Sequence, residues 1–231
     1  MTKHIHFPSS PTSSAGPGGR ICVSLAESSP SACLEKLVRL QFAEIRLDGM
    51  DAAIEDVRTI FSQKKTLIAT HRSGSRPQVE RQRLMAAAIE AGASYIDIDL
   101  HSEIEYRQSL VRLARKHGCR VIISFHDQQG TPARFELKGI VRRCLDAGAE
   151  IVKIACRVLR VQDNAKLIGL LDSEVPMVVA GMGRAGRITR IVGPLLGSLF
   201  SYASLERGAE TASGQIDLET LQELMEACNG V

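Results

Sequence analysis

The stretch Glu150-Ile151-Val152-Lys153-Ile154-Ala155-Cys156 decides the reading of this chain. Its β-branched content, and its short length between Gly148 and the polar segment that follows, predict a buried strand. Alternation puts Ile151, Lys153 and Ala155 on one face and Val152, Ile154 and Cys156 on the other. A strand apolar on both faces belongs in a parallel sheet covered on both sides, where a lysine must either snorkel its ammonium to water or shed its charge. An uncharged amine is a nucleophile. It attacks a ketone or aldehyde to form an imine, an electron sink for chemistry at the adjacent carbon.

Outward from this stretch, a short β-branched run, a turn and an amphipathic helical stretch repeat along the chain. The strand-like runs are Ile21–Leu25, Ala43–Leu47, Thr66–Thr70, Tyr95–Asp99, Arg120–Phe125, Glu150–Ala155, Pro176–Ala180 and Ser198–Ala203. Helical periodicity covers Ser31–Gln41, Met50–Ser62, Gln78–Glu90, Ser102–Lys116 behind a serine cap, Arg134–Ala147, Val161–Leu171, Arg187–Leu196 and Ile216–Cys228. Three helices stop at Gly92, Gly118 and Gly148 just before the next strand, a helix C-terminal signature.

Eight such alternations fit either a (β/α)8 TIM barrel or a doubly wound sheet. The charged residues discriminate. Glu44, Arg46 and Asp48 share one strand face, and Tyr95, Asp97 and Asp99 share another, each opposite an apolar face. A central strand of an open sheet has helices on both faces and cannot leave such charges without partners, whereas a barrel strand turns that face into the lumen. A single (β/α)8 barrel domain over residues 20–231 is therefore expected. Residues 1–19 are rich in Ser, Pro and Gly and are expected to form a disordered tail.

The 231 residues are 44% hydrophobic with a net charge of +3, enough to build a core and too little charge to argue for nucleic acid. The six cysteines show no Cys-x-x-Cys pair and no zinc-like spacing with histidine, and the apolar settings of Cys22 and Cys156 suggest free thiols in a reducing cytoplasm. No metal and no dissociable cofactor is expected. No stretch reaches the length of a membrane span, and the N-terminus lacks a secretory apolar region.

On the expected barrel, Glu44 and Arg46 lie on strand two, Arg72 after strand three, His126 at the C-terminal end of strand five and Lys153 on strand six. Adjacent parallel strands lie about 4.8 Å apart, so His126 and Lys153 can meet at one small substrate. An imine-forming lysine beside a base of near-neutral pKa suits proton abstraction next to a carbonyl.

At these residues the chain resembles type I 3-dehydroquinate dehydratase. The resemblance runs from Ile21 to about Ile216. It rests on Ile21-Cys22-Val23-Ser24-Leu25, Glu44-Ile45-Arg46-Leu47-Asp48, Ser124-Phe125-His126-Asp127 and Val152-Lys153-Ile154-Ala155, and continues through Gly181–Arg190 and Ala212-Ser213-Gly214-Gln215. It implies an imine between Lys153 and the C3 ketone of 3-dehydroquinate, with His126 as base and then acid. It also implies Arg190 as the carboxylate clamp, Glu44, Arg46, Arg72 and Gln215 at the substrate hydroxyls, Met182 against the ring, Thr211 keeping the hydroxyl of a usual serine, and a homodimer.

The chain departs from the family pattern at Arg76, where the loop after strand three usually carries an acid, at Phe125 in place of Asn, at Gln128 in place of Phe and at Ser213 in place of Pro. Two other readings stand beside the dehydratase. One is a barrel that binds a shikimate-pathway metabolite and turns it over poorly; the other is a Schiff-base aldolase whose Gly181-x-Gly183-x-x-Gly186 cradles a phosphate ester.

Overall fold

The computed structural model describes residues 21–74 and 76–229, so the expected tail lies outside the described residues. Strands and helices alternate: β1 (Ile21–Leu25), α1 (Pro30–Leu37), β2 (Phe42–Arg46), α2 (Ile54–Phe61), β3 (Thr66–Thr70), α3 (Gln78–Glu90), β4 (Tyr95–Asp99) and α4 (Ile104–Lys116). The second half follows with β5 (Arg120–Asp127), α5 (Arg134–Asp146), β6 (Ile151–Arg157), α6 (Val161–Ile168), β7 (Met177–Met182), α7 (Arg187–Val192), β8 (Ser201–Ala203) and α8 (Leu218–Asn229).

The strands form one parallel sheet in the order β7-β6-β5-β4-β3-β2-β1-β8. With a helix after each strand, this is the expected (β/α)8 barrel, nearly closed. Among the described residues β7 and β8 share no ladder. The seam is bridged instead by Leu199 N–H donating to the Met177 carbonyl at 2.9 Å, and by the Ser198 hydroxyl, which accepts from Val179 N–H and donates to the Phe200 carbonyl.

Local chemistry explains the element boundaries. Ser29 accepts from Ala32 N–H and Pro30 opens α1, while Asp56, Glu136 and Asp163 reach back from the first turns of α2, α5 and α6 to N–H groups preceding each helix. At the other ends, Gly92, Gly118 and Gly148 have φ of +109°, +70° and +99°, a left-handed backbone that glycine adopts at little cost.

The structure differs from the sequence reading at several boundaries. Ser102 does not cap α4; Glu103 takes that position, and its carboxylate pairs with Arg81. The expected helix over Arg187–Leu196 breaks at Gly193 into α7 and a single 3-10 turn, because glycine is a poor helix former and Pro194 offers no N–H to continue the ladder. Strand eight is only three residues long, since Ser198 and Leu199 turn their polar groups to the seam.

Outward strand side chains pack under the helices in the main core, which includes Ile45, Ile98, Ile123, Val152, Ile154 and Val179. Inside the barrel, Cys22, Ile68, Ile122, Ile151 and Val178 form a separate apolar cluster with Phe200 and Tyr202. Below it Phe42 packs edge-on against Phe200 with ring centres 4.9 Å apart. Ile122 pairs in register with Ile151, and Ser124 with Lys153 two residues on. The charged groups therefore sit one lumen layer above an apolar floor.

Candidate active site

The β5–β6 register sets Ser124 beside Lys153 and His126 beside Ala155, while on the far side of β6 Val178 flanks Lys153 and Ala180 flanks Ala155. The two alanines above the lysine leave room. A cavity of about 290 Å³ opens there, lined by Glu44, Arg46, Arg72, Asp99, His126, Lys153, Met182, Arg190, Tyr202, Thr211 and Gln215 among others. All nine residues singled out from the sequence as site candidates therefore face one cavity at the C-terminal end of the barrel.

Lys153 is only 6% exposed. Its surroundings are more polar than its own strand suggests. Nζ donates to Asp97 Oδ2 at 2.8 Å, lies 3.6 Å from Glu44 Oε1 and sits 3.9 Å from the centre of the Tyr202 ring. Asp97 is shared: both its oxygens receive Arg72 at 3.1 and 3.2 Å, and Oδ1 accepts from the Ser124 hydroxyl at 2.5 Å. Burial pushes the Asp97 carboxyl up, but the Arg72 and Lys153 charges prevail and hold it well below the usual carboxylate range.

Glu44 shows the same balance. Burial opposes its charge, Lys153 favours it, and the net position is below an ordinary glutamate. Ser24 donates to Glu44 Oε2 at 2.5 Å and Thr70 to Oε1 at 2.9 Å, and the Thr211 hydroxyl lies 2.9 Å from Ser24 Oγ. Arg46 does not pair with Glu44 but clamps Asp48 at 2.9 and 2.8 Å. Gln215 Oε1 accepts from the N–H groups of Thr211 and Ala212, so this side chain shapes the loop that carries Thr211 over the mouth.

His126 Nδ1 lies 3.2 Å from Asp99 Oδ2, and its Nε2 lies 3.4 Å from Arg72 Nη2. Burial is the first cause holding the imidazole below its ordinary pKa, the Arg72 charge the second; the hydrogen bond to Asp99 works the other way. Arg190 is 2% exposed; among the described residues its Nε has no partner, and Nη1 reaches only the Tyr202 carbonyl at 3.4 Å. Burial, with a smaller contribution from Arg187, pushes it down to about 10. A buried guanidinium without a carboxylate is the group in this cavity suited to an anion.

Two glycines of Gly181-x-Gly183-x-x-Gly186 are used in backbone packing. A Cβ on Gly186 would lie 2.4 Å from the carbonyl carbon of Gly181, and the Thr189 hydroxyl accepts from Gly181 N–H and donates to the Gly186 carbonyl. This close approach fixes the start of α7 and with it Arg190. Arg76 lies outside the cavity lining: it pairs with Glu80, donates to the Met50 carbonyl at 2.8 Å and lies 3.9 Å from Asp51. Phe125 points away from the lumen into the helix-side core, whereas Gln128 does line the cavity.

Against protein-family models, residues 21–230 match the one described as Type I 3-dehydroquinase. The chain belongs to the type I 3-dehydroquinase family. Relatives named 3-dehydroquinate dehydratase include one from Desulfotalea psychrophila, 30% identical over 88% of this chain and 95% of its own, and one from Dehalococcoides mccartyi, 31% identical over 90% and 96%. Among solved structures, the 3-dehydroquinate dehydratase from Aquifex aeolicus VF5 superimposes with a TM-score of 0.76 at 28% identity over 90% of this chain and 98% of that one. That from Geobacillus kaustophilus HTA426 gives 0.81 at 22% identity over 91% of both chains, a likeness of fold.

Within this family member, sequence reasoning missed the partners that complete the site. Asp97 and Asp99 were visible as lumen-facing charges, but nothing local assigned them to Lys153 and His126. Ser24, Thr70 and Ser124 carry no signal of their own; only their register against the charged strands reveals them. Tyr202 was hidden in a run whose strand is too short to show alternation.

Proposed function

We propose that the chain dehydrates 3-dehydroquinate to 3-dehydroshikimate through an imine on Lys153, with His126 moving the proton. The juxtaposition of a buried lysine and a histidine at one cavity carries this reading, together with family membership. In the first step the Lys153 amine attacks the C3 ketone, and loss of water gives the protonated imine. Asp97 Oδ2 at 2.8 Å and Glu44 Oε1 at 3.6 Å, both held ionised, face the iminium charge, while the proton the ammonium sheds before attack leaves to solvent through the cavity.

The iminium acidifies the C2 proton, which His126 Nε2 removes, leaving an enamine. Collapse of the enamine expels the C1 hydroxyl as the imidazolium returns its proton, so water leaves and the imidazole is neutral again. Hydrolysis of the conjugated imine releases product and restores the amine. Arg190 receives the substrate carboxylate, Arg46, Arg72 and Thr211 hold its hydroxyls, and Met182 packs on the ring. Gln215 keeps Thr211 in place. We assign the reaction no metal and no dissociable cofactor.

The dehydratase is favoured over the aldolase because the glycine motif is used in packing and Arg190, buried and without a carboxylate partner among the described residues, suits a substrate carboxylate. Borohydride added with 3-dehydroquinate is expected to trap a covalent adduct on Lys153, and ultraviolet absorbance should rise as the conjugated product forms. An adduct without product would favour the poorly turning binder, and no adduct would refute both. We also read the protein as a cytoplasmic homodimer. The buried free thiols Cys22, Cys33, Cys119, Cys144 and Cys156 support a reducing compartment, and sedimentation at micromolar concentration tests the dimer.

A further inference from the structure

Strand β4 presents two aspartates to the lumen, and they have different neighbours. Both oxygens of Asp97 are taken by Arg72, Ser124 and Lys153. Asp99, two residues on, lies higher on the same face. Its Oδ1 accepts the backbone N–H of His101 at 2.8 Å, and its Oδ2 is turned to His126 Nδ1 at 3.2 Å. Arg72 stands farther from it, with Nη1 3.8 Å from Oδ2. The Asp99 carboxylate is thus oriented by its own turn, and the nearest group to its second oxygen is the imidazole.

We propose that Asp99 is the positioning residue for His126: by accepting the Nδ1 proton it fixes the tautomer whose Nε2 lone pair faces the cavity. This rests on the reading of His126 as the base. A histidine held only by the long 3.4 Å contact from Arg72 Nη2 to Nε2 would present an N–H to the substrate for part of the time and could not act as a base then. Asp97 cannot substitute, because Arg72, Lys153 and Ser124 occupy its oxygens. Arg76, from the loop after β3, offers no acceptor. The charges facing His126 are Arg72 from the β3 loop, Asp97 and Asp99 from β4, and Lys153 from β6. Asp99 and Asp97 favour the imidazolium, and Arg72 and Lys153 oppose it.

The test joins a direct measurement on the unaltered protein to two substitutions. Nitrogen-15 NMR of the histidine rings at neutral pH should show His126 as the Nδ1–H tautomer; finding Nε2–H would overturn the proposal without any variant. Asp99→Asn should lower kcat about 100-fold, the lower end of what acid–base catalysis contributes, with KM changed less than about three-fold. Its Nδ1–H population should fall, and the acid limb of the kcat profile should move to lower pH, because the carboxylate favouring the imidazolium is gone while burial and Arg72 remain.

Borohydride trapping on Lys153 should survive in Asp99→Asn, and Asp99→Glu should recover most of the turnover. An Asp99→Asn protein with kcat within about three-fold of the parent and an unchanged tautomer would refute the assignment. Failure of the parent protein to form any adduct would instead refute the imine reading.

Discussion

The lower and upper halves of the lumen are built by the same strands with the same alternation, yet they obey different physics. Below, Cys22, Ile68, Ile122, Ile151 and Val178 fill the barrel with apolar groups and closely packed rings. One layer higher, Ser24, Glu44, Thr70, Asp97, Ser124 and Lys153 occupy equivalent inward positions and are all buried. The lower layer gains stability by removing apolar area from water, at about 25 cal/mol per Å². The upper layer takes charges out of water, which costs free energy unless every charge meets a partner. Among the described residues its partners are nearly complete, and Arg190 is the exception. A substrate carboxylate would complete it.

The contrast can be broken most severely at Lys153. Lys153→Met is expected to lower turnover at least ~10⁴-fold and to abolish borohydride trapping, as removal of a covalent nucleophile does. The fold should persist, because Asp97 keeps Arg72 and Ser124; a variant that is active but not trapped would sink the imine reading.

Removing the carboxylate that serves both cations comes next. Asp97→Asn leaves Arg72 and Lys153 buried without their main counter-charge and should destabilise the protein by about 3–5 kcal/mol in denaturant titration. The pH dependence has a fixed sign. Asp97 and Glu44 have folded-state pKa values below their unfolded ones, so their contribution is present above about pH 4–4.5, the unfolded range, and is lost as pH falls toward the folded values. Thermal melts of the parent should therefore decline below about pH 4, and the decline should be shallower in Asp97→Asn. An equal decline in both would argue that other carboxylates govern acid sensitivity.

In the lower half, Ile122→Ala should cost about 2–5 kcal/mol through lost burial and a residual cavity, a loss that does not vary with pH. Turnover per folded molecule should stay within about three-fold, since Ile122 lies outside the cavity lining. A large fall in kcat would mean that the two halves are more tightly coupled than their packing indicates.

The gentlest change sharpens the boundary between them. Ala155→Leu fills the space above Lys153, so KM should rise by about ten-fold or more, while stability changes by less than about 1.5 kcal/mol. Unchanged KM would place the substrate elsewhere.

Much of this arrangement was legible in advance. The alternation of Glu44-Ile45-Arg46 and of Asp97-Ile98-Asp99 separated lumen from helix side, and the glycines after α3, α4 and α5 marked where helices hand over to strands. The reading failed where a neighbour distant in the chain sets the outcome. Lys153 was expected among apolar strand residues, but across the lumen Asp97 and Glu44 meet it. Arg46 and Glu44 share a face, yet each has a different partner. The glycines after β7 looked like a phosphate loop because spacing alone cannot distinguish room for a ligand from room for another stretch of backbone.

By itself the sequence determined the repeat of strand and helix, the inward face of each strand and the chemical groups available there, because periodicity is a property of neighbours along the chain. Only the tertiary structure decided which charges are shared and which are left free. Lys153 and Asp97 are 56 residues apart, His126 and Asp99 27, and Thr211 and Ser24 187, and each pair meets at the lumen of the nearly closed barrel. In so little space, who pairs with whom follows from strand register and barrel closure, and neither is written in any one segment.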